Sequence, residues 1–118
     1  MAKYVDGFLL AVPKSKLAAY RKLSAKAGKI WMEYGALQYV ECVGDDLNIK
    51  GMGSFQKQLK LKRGETAVFS WIAYKSKAQR NAVNKKVMTD PRMDFDPASM
   101  PFDMKRMLMG GFRTIVDK

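Results

Sequence analysis

The sequence predicts an α+β fold in which two strand–helix–strand units follow one another. Three observations carry that prediction. The first is Thr66–Ser76, TAVFSWIAYKS, a β-branched and aromatic run whose two parities are both apolar: Val68, Ile72 and Tyr74 on one, Phe69, Trp71 and Ala73 on the other. A strand of that kind is buried on both faces of its sheet. The second is a pair of helical patterns, Ser15–Tyr34 and Ser76–Thr89, each standing between strand-like runs. The third is that Lys3–Pro13 repeats the two-sided apolar pattern. The order strand, helix, strand, strand, helix, strand is the βαββαβ plan of a ferredoxin-like sandwich, a four-stranded antiparallel sheet with two helices on one face. Right-handed crossovers put the first and third strands in the centre, and those are the two that are apolar on both sides. Residues 1–118 read as a single domain, a size that one core can hold together.

Lys3–Pro13 alternates Tyr4, Asp6, Phe8, Leu10 and Val12 with Val5, Gly7, Leu9 and Ala11. Gly7 within it predicts a bulge or a close backbone approach, and Pro13 ends it. In Ser15–Tyr34, the residues Leu17, Tyr20, Ala27, Trp31 and Tyr34 fall on one helical face, with Lys22, Lys26, Lys29 and Glu33 on another. Ser15 is the expected N-cap and Gly35 the C-terminal stop. Ala36–Val43 reads as the second strand and Gly44–Asp46 as its closing turn. Leu47–Glu65 is irregular: Ser54 caps a short helix through Gln58, and Lys57, Lys60, Lys62 and Arg63 form a basic run. A connection this long serves either as a lid or dimer arm, or as a plain surface excursion.

In Ser76–Thr89, Ser76 is the expected cap, Ala78, Ala82, Val83 and Val87 the apolar side, and Lys77, Arg80, Lys85 and Lys86 the outer side. Arg92–Pro101 is a turn-rich connector whose Asp94 and Asp96 lack the EF-hand pattern, so no calcium site is expected. Met104–Val116 is the last strand, and Gly110-Gly111 predicts a bulge or close crossing in it.

Composition removes several chemistries. The chain has no histidine and one cysteine, Cys42. That excludes an imidazole base, a Ser-His or Cys-His nucleophile pair and a structural zinc site, so neither a metal nor a cofactor is expected. A lone thiol predicts a reducing compartment, the cytoplasm. No apolar run approaches the ~18 residues of a membrane span, and Met1–Pro13 carries Asp6 in its apolar stretch without a signal-peptide layout. Lysine and arginine total 22 against 11 acids, a net charge of +11. Such a balance suits nucleic acid or acidic ligands, and it equally suits a solvated basic surface.

Two helices cover one face of the sheet, which leaves the other to something else. Val5, Gly7, Leu9, Val68 and Ile72 are small or aliphatic and are expected under the helices. Asp6, Phe8, Tyr39, Glu41, Phe69 and Trp71, with Lys75, are expected on the open face. A bare face of this kind associates. The sequence therefore predicts a homodimer packed sheet to sheet, with a ligand-sized cavity between the sheets. Asp6 and Glu41 in that cavity would be either an acid–base pair with raised pKa values, or partners of Lys75, Lys105 or Arg106 in ion pairs that set the dimer register. Cys42 reads as a small buried hydrophobe.

The blocks KYVDGFLLAVPK, GALQYVECVGDD, ETAVFSWIAYKSKAQRNAVNKKVMTDP and MPFDMKRMLMGGF together resemble the bacterial DUF1428 (YbaA-like) family over nearly the whole chain. The resemblance implies membership of the dimeric α+β barrel superfamily, and so the same sheet-to-sheet dimer. It implies no catalytic residue. Relatives in that superfamily include cofactor-independent monooxygenases and haem-degrading enzymes, and the haem sites commonly use a histidine that this chain lacks. The leading reading is a small dimeric protein that binds an apolar or aromatic ligand. One alternative is a cofactor-free oxygenase or isomerase with Asp6 or Glu41 as base. Another is an RNA-binding protein that stacks bases on Phe8, Phe69 and Trp71, although VFSWIAYK departs from the RNP1 pattern.

Overall fold

A computed structural model of the chain describes residues 3–118. Its main elements are β1 (Tyr4–Pro13), α1 (Leu17–Glu33), β2 (Gln38–Val43), a short α2 (Phe55–Gln58), β3 (Glu65–Tyr74), α3 (Lys77–Met88) and β4 (Leu108–Arg113). The strands form one antiparallel sheet in the order β2-β3-β1-β4. The two strands that are apolar on both parities are thus the central ones, paired from Tyr4↔Tyr74 to Pro13↔Glu65. No helix among the described residues is long and apolar enough to cross a membrane.

Both long helices pack on the same side of the sheet. Ile30, Val83 and Val87 from α1 and α3 meet Ile72 and Tyr74 of β3, with Phe8, Trp31 and Tyr39 against them. A second cluster joins Leu10, Val12, Val68 and Tyr20. The aromatic stripe of α1 is therefore a core seam. On α3 the buried side is narrower than the sequence suggests. Val83 and Val87 are buried, Ala78 and Ala82 are exposed, and Arg80 is drawn partly inward rather than lying outside.

Helix ends follow local chemistry, with one correction. The Ser76 hydroxyl accepts the Gln79 N–H and caps α3, and the Ser54 hydroxyl does the same for α2 through Lys57. Gly35 leaves α1 at φ +111°, a conformation that glycine adopts without strain. Ser15 caps nothing. The Lys14 N–H is donated to the Gly64 carbonyl, so the chain turns through a 3-10 segment, Lys14–Lys16, and α1 begins at Leu17 with no side-chain cap.

The last strand is shorter than predicted, because Met104–Arg106 forms a 3-10 turn whose Asp103 carboxylate accepts the Lys105 N–H. Pairing of β1 with β4 runs unbroken through Gly7↔Gly110 and Asp6↔Gly111, so neither glycine stretch is a bulge. Each makes room for a ring instead. A Cβ at Gly7 would stand 3.3 Å from the Phe112 ring, and one at Gly111 would run into the Tyr4 phenol.

The irregular excursion after β2 folds back on the body. The Phe55 ring meets Phe69 edge-on at 6.5 Å, and Leu59 is buried. Arg106, expected in the cavity, is engaged here. It donates to both oxygens of Glu65 at 2.7 and 2.9 Å and to the carbonyls of Leu59 and Lys60. The correction has a simple cause: a guanidinium has enough donors to satisfy a carboxylate and two carbonyls at once.

The Arg106 hydrogen bonds hold the Glu65 carboxyl at about 2, down from an ordinary 4.5. A lowered carboxylate pKa stabilises the fold fully above the unfolded value and loses that contribution as pH falls through the folded one. Arg106→Ala is expected to cost about 2 kcal/mol at neutral pH. Urea unfolding should show the wild-type advantage over the variant shrinking between pH 4.5 and about 2; an advantage independent of pH in that window would show that the pair is not what Arg106 contributes.

Candidate functional site

Strand pairing decides which side chains share a face, because directly opposed residues point the same way. Asp6 and Tyr39 both oppose Ile72, while Phe8 and Glu41 oppose Ser70. Ile72 packs under the helices, so Asp6, Phe8, Tyr39 and Glu41 lie on the helix side of the sheet. The open face takes Val5, Gly7 and Leu9 instead, together with Phe69 and Trp71. The expectation for Phe69 and Trp71 holds, and those for Asp6, Phe8, Tyr39 and Glu41 are reversed. The reason is register: β1 and β3 align even with even, whereas chemical character alone had joined the even set of one to the odd set of the other.

Asp6 is 2% exposed beneath α3. Arg80 Nε stands 3.6 Å from its Oδ1, and that nitrogen has no hydrogen-bond partner among the described residues. The same guanidinium donates from Nη2 to the Tyr4 hydroxyl at 3.0 Å and stacks over the Tyr4 ring. Burial raises the Asp6 pKa; the Arg80 charge and a hydrogen bond from Asn84 oppose the rise. Asn84 in turn accepts from Trp31 Nε1 and the Tyr74 hydroxyl, each at 3.1 Å. Asp6 is thus the centre of a polar network that joins β1, β3, α1 and α3. Its partner is Arg80 of the same chain, not Lys75, Lys105 or Arg106.

Glu41 sits apart from Asp6, in a groove between α1 and the edge strand β2. Tyr20 donates to one of its oxygens at 2.7 Å and Tyr39 to the other at 2.9 Å. Burial, reinforced by the adjacent Glu41, pushes both tyrosine pKa values well above 10, so both remain donors. The groove encloses about 780 Å³, within the range of small-molecule sites. Leu17, Val43 and Val68 line its apolar part, and Ser24, Ala25 and Gly28 supply a small-residue wall from α1. Gly28 is needed here: a Cβ would come within 2.7 Å of the Tyr39 ring. The two carboxylates that the sequence placed together, Asp6 and Glu41, are separate sites with separate partners.

Two further expectations change. Lys75 lies just beyond β3, exposed, with its backbone N–H donated to Gln79. Cys42 is exposed beside Phe69 on the open side of the edge strand rather than buried. No group of three or more metal-binding side chains comes together among the described residues.

The comparisons with known proteins agree on lineage. A sequence model of the family described as "Protein of unknown function (DUF1428)" matches residues 3–104. The chain belongs to the DUF1428 family. It is 49% identical over 116 residues to "Uncharacterized protein YbaA" of Escherichia coli K12, covering 98% of this chain and 99% of that one, and equally so to the Shigella flexneri protein. Among solved structures it is similar to an uncharacterized NIPSNAP domain protein from Burkholderia xenovorans, with a TM-score of 0.53 and 15% identity over 92% of this chain and 91% of that one. A likeness of that degree shows a shared α+β fold and nothing about activity.

The groove of this DUF1428 chain uses residues that sequence reasoning passed over. Tyr20 was visible as core, but its hydroxyl contact needed the position of Glu41. Gly28 did leave a signal. Glycine inside a helix costs about 1 kcal/mol against alanine, so its place there calls for a packing reason. Arg80 left none, since it reads as an outer helix residue.

Because Asp6 holds Arg80 in a buried setting, Asp6→Ala is expected to destabilise the fold by about 3 kcal/mol. Thermal and urea unfolding measure it; a loss below about 0.5 kcal/mol would mean that the network does not depend on this carboxylate.

Proposed function

We propose that this DUF1428 protein is a homodimer that binds a small apolar or aromatic ligand, and that the ligand occupies the groove between α1 and β2. The observation that carries the reading is Glu41: a carboxylate with both oxygens held by tyrosine hydroxyls, on the wall of a groove otherwise mostly apolar. Each carboxylate oxygen has room for a second donor, so Glu41 can accept one from a ligand while Leu17, Val43 and Val68 take its apolar body. The site differs in place from the expected one. It lies within each subunit rather than between two sheets.

The second part of the reading rests on the open face of the sheet. Phe69, Leu108 and Phe112 are 48%, 53% and 62% exposed there, with Val5, Leu9 and Val40 half-buried beside them. From Ala67 to Ala73 and in the strand residues alongside, this face carries no charge. A basic chain that keeps cations off one apolar face suits a second copy of itself. A nucleic acid would need cations on that face for its phosphates, and Phe8, turned under the helices, contributes no ring to stack a base.

Titration with the uncharged fluorophore N-phenyl-1-naphthylamine tests the groove. Binding to the wild type should weaken at least tenfold in Ala25→Trp, which fills the groove from an exposed helix position while leaving the core alone. Equal binding to both proteins would sink the groove assignment. Native mass spectrometry tests the face: the wild type should be a dimer and Phe112→Lys a monomer at micromolar concentration. A monomeric wild type would remove the dimer from the proposal.

A further inference from the structure

Resting on the groove reading above, we infer that the ligand is an organic anion, an apolar or aromatic body ending in a carboxylate-like group that stays at the mouth. The argument starts from α1. Arg21, Ala25 and Lys29 are spaced i, i+4, i+8 and all line the groove. Residues so spaced share one helical stripe, and eight residues of helix span roughly 12 Å. Two cations therefore bracket a gap that holds only a methyl group. Arg21 and Lys29 are exposed, and each arm is long enough to bend over the gap.

Neither cation is neutralised from within. Five ion pairs occur among the described residues, and neither Arg21 nor Lys29 takes part in any of them. The one acid of the groove lining is Glu41. Both of its oxygens are already held by Tyr20 and Tyr39, so moving it to either cation would break two charge-assisted hydrogen bonds. The groove thus carries two unpaired positive charges at its rim and a tied negative charge further in. That gradient orients an amphiphilic ligand. An anionic group near Glu41 would be repelled, and the same group between Arg21 and Lys29 would be attracted. The apolar remainder then runs inward past Ala25 and Gly28 toward Val68. A neutral ligand would use the same walls and gain nothing from the rim.

The overall charge of +11 attracts any anion weakly from a distance, so the test must separate the rim from the whole surface. The probes are 1-anilinonaphthalene-8-sulfonate and N-phenyl-1-naphthylamine, which differ by the sulfonate, titrated by fluorescence at low ionic strength. The expected result is that the wild type binds the sulfonate at least tenfold more tightly. Arg21→Gln with Lys29→Gln should remove that preference while leaving the neutral probe within twofold. Lys85→Gln with Lys86→Gln, two exposed cations at the end of α3, removes the same charge elsewhere and should change neither probe by more than twofold. Raising the salt to about 0.5 M should shrink the preference, because exposed charges are screened.

A wild type that binds both probes equally in the groove, both being lost in Ala25→Trp, would overturn the anion inference and leave the groove reading standing. An α3 control that lowers sulfonate binding as much as the rim pair does would overturn it too, since the field of the whole protein would then be the cause. If neither probe is lost in Ala25→Trp, the groove reading itself fails and this inference falls with it.

Discussion

Antiparallel pairing of β1 with β3, Asp6 opposite Ile72 and Leu10 opposite Val68, is the constraint from which the rest of the molecule follows. Opposed residues share a face, and a slip of one position would exchange the faces of an entire strand. With this register the large side chains Tyr4, Phe8, Leu10 and Tyr74 go under the helices, where Tyr74 and Leu10 are almost wholly buried. The other side takes the small Gly7, Ala11, Ala67 and Ala73 together with Leu9, Phe69 and Trp71. The Phe112 ring can then lie against Gly7, and the Tyr4 ring against Gly111. The register also brings Asp6 beneath Arg80, where its carboxylate is an element of structure rather than a free acid.

The groove is the place where helix cover runs out. The edge strand β2 spans only Gln38–Val43, and the wall that α1 presents to it is made of small side chains around Gly28. The Tyr39 ring fits against that glycine, and its hydroxyl reaches Glu41, which also receives Tyr20 from the helix above. Three polar groups close on themselves at one spot, so a carboxylate can be kept beside apolar walls without an ion pair. This economy leaves the cations of α1 unpaired. Over the middle of the sheet charge is therefore segregated by face: Asp6 and Glu41 lie on the helix side, and the opposite face from Ala67 to Ala73 and alongside carries none.

The helix ends show a similar division. Arg92 bridges Glu33 at 2.8 Å and Asp90 at 2.9 Å, and the Tyr34 hydroxyl donates to Asp90 at 2.7 Å. The close of α1 is thereby tied to the close of α3, and Trp31 in the last turn of α1 donates to Asn84 of α3.

Much of the architecture was legible in the residues. The apolar runs of Lys3–Pro13 and Thr66–Ser76 identified the central strands, because right-handed crossovers put the first and third strands of this plan in the centre. Gly35 and Ser76 marked helix ends by conformational and capping chemistry that is local to the chain. The family was legible as well, since long blocks of sequence carry it. What the residues could not express was which parity of each strand turns toward the helices. Alternation is symmetric between the two faces, and mixed character, as in Asp6 beside Phe8, looks the same from either. That choice was made by the pairing register and by Arg80 and Asn84, which reach Asp6 from more than seventy positions away in the chain. The same holds for Glu41: its residue type was written in the sequence, while its two tyrosine partners and its place in a groove exist only once α1 lies across β2.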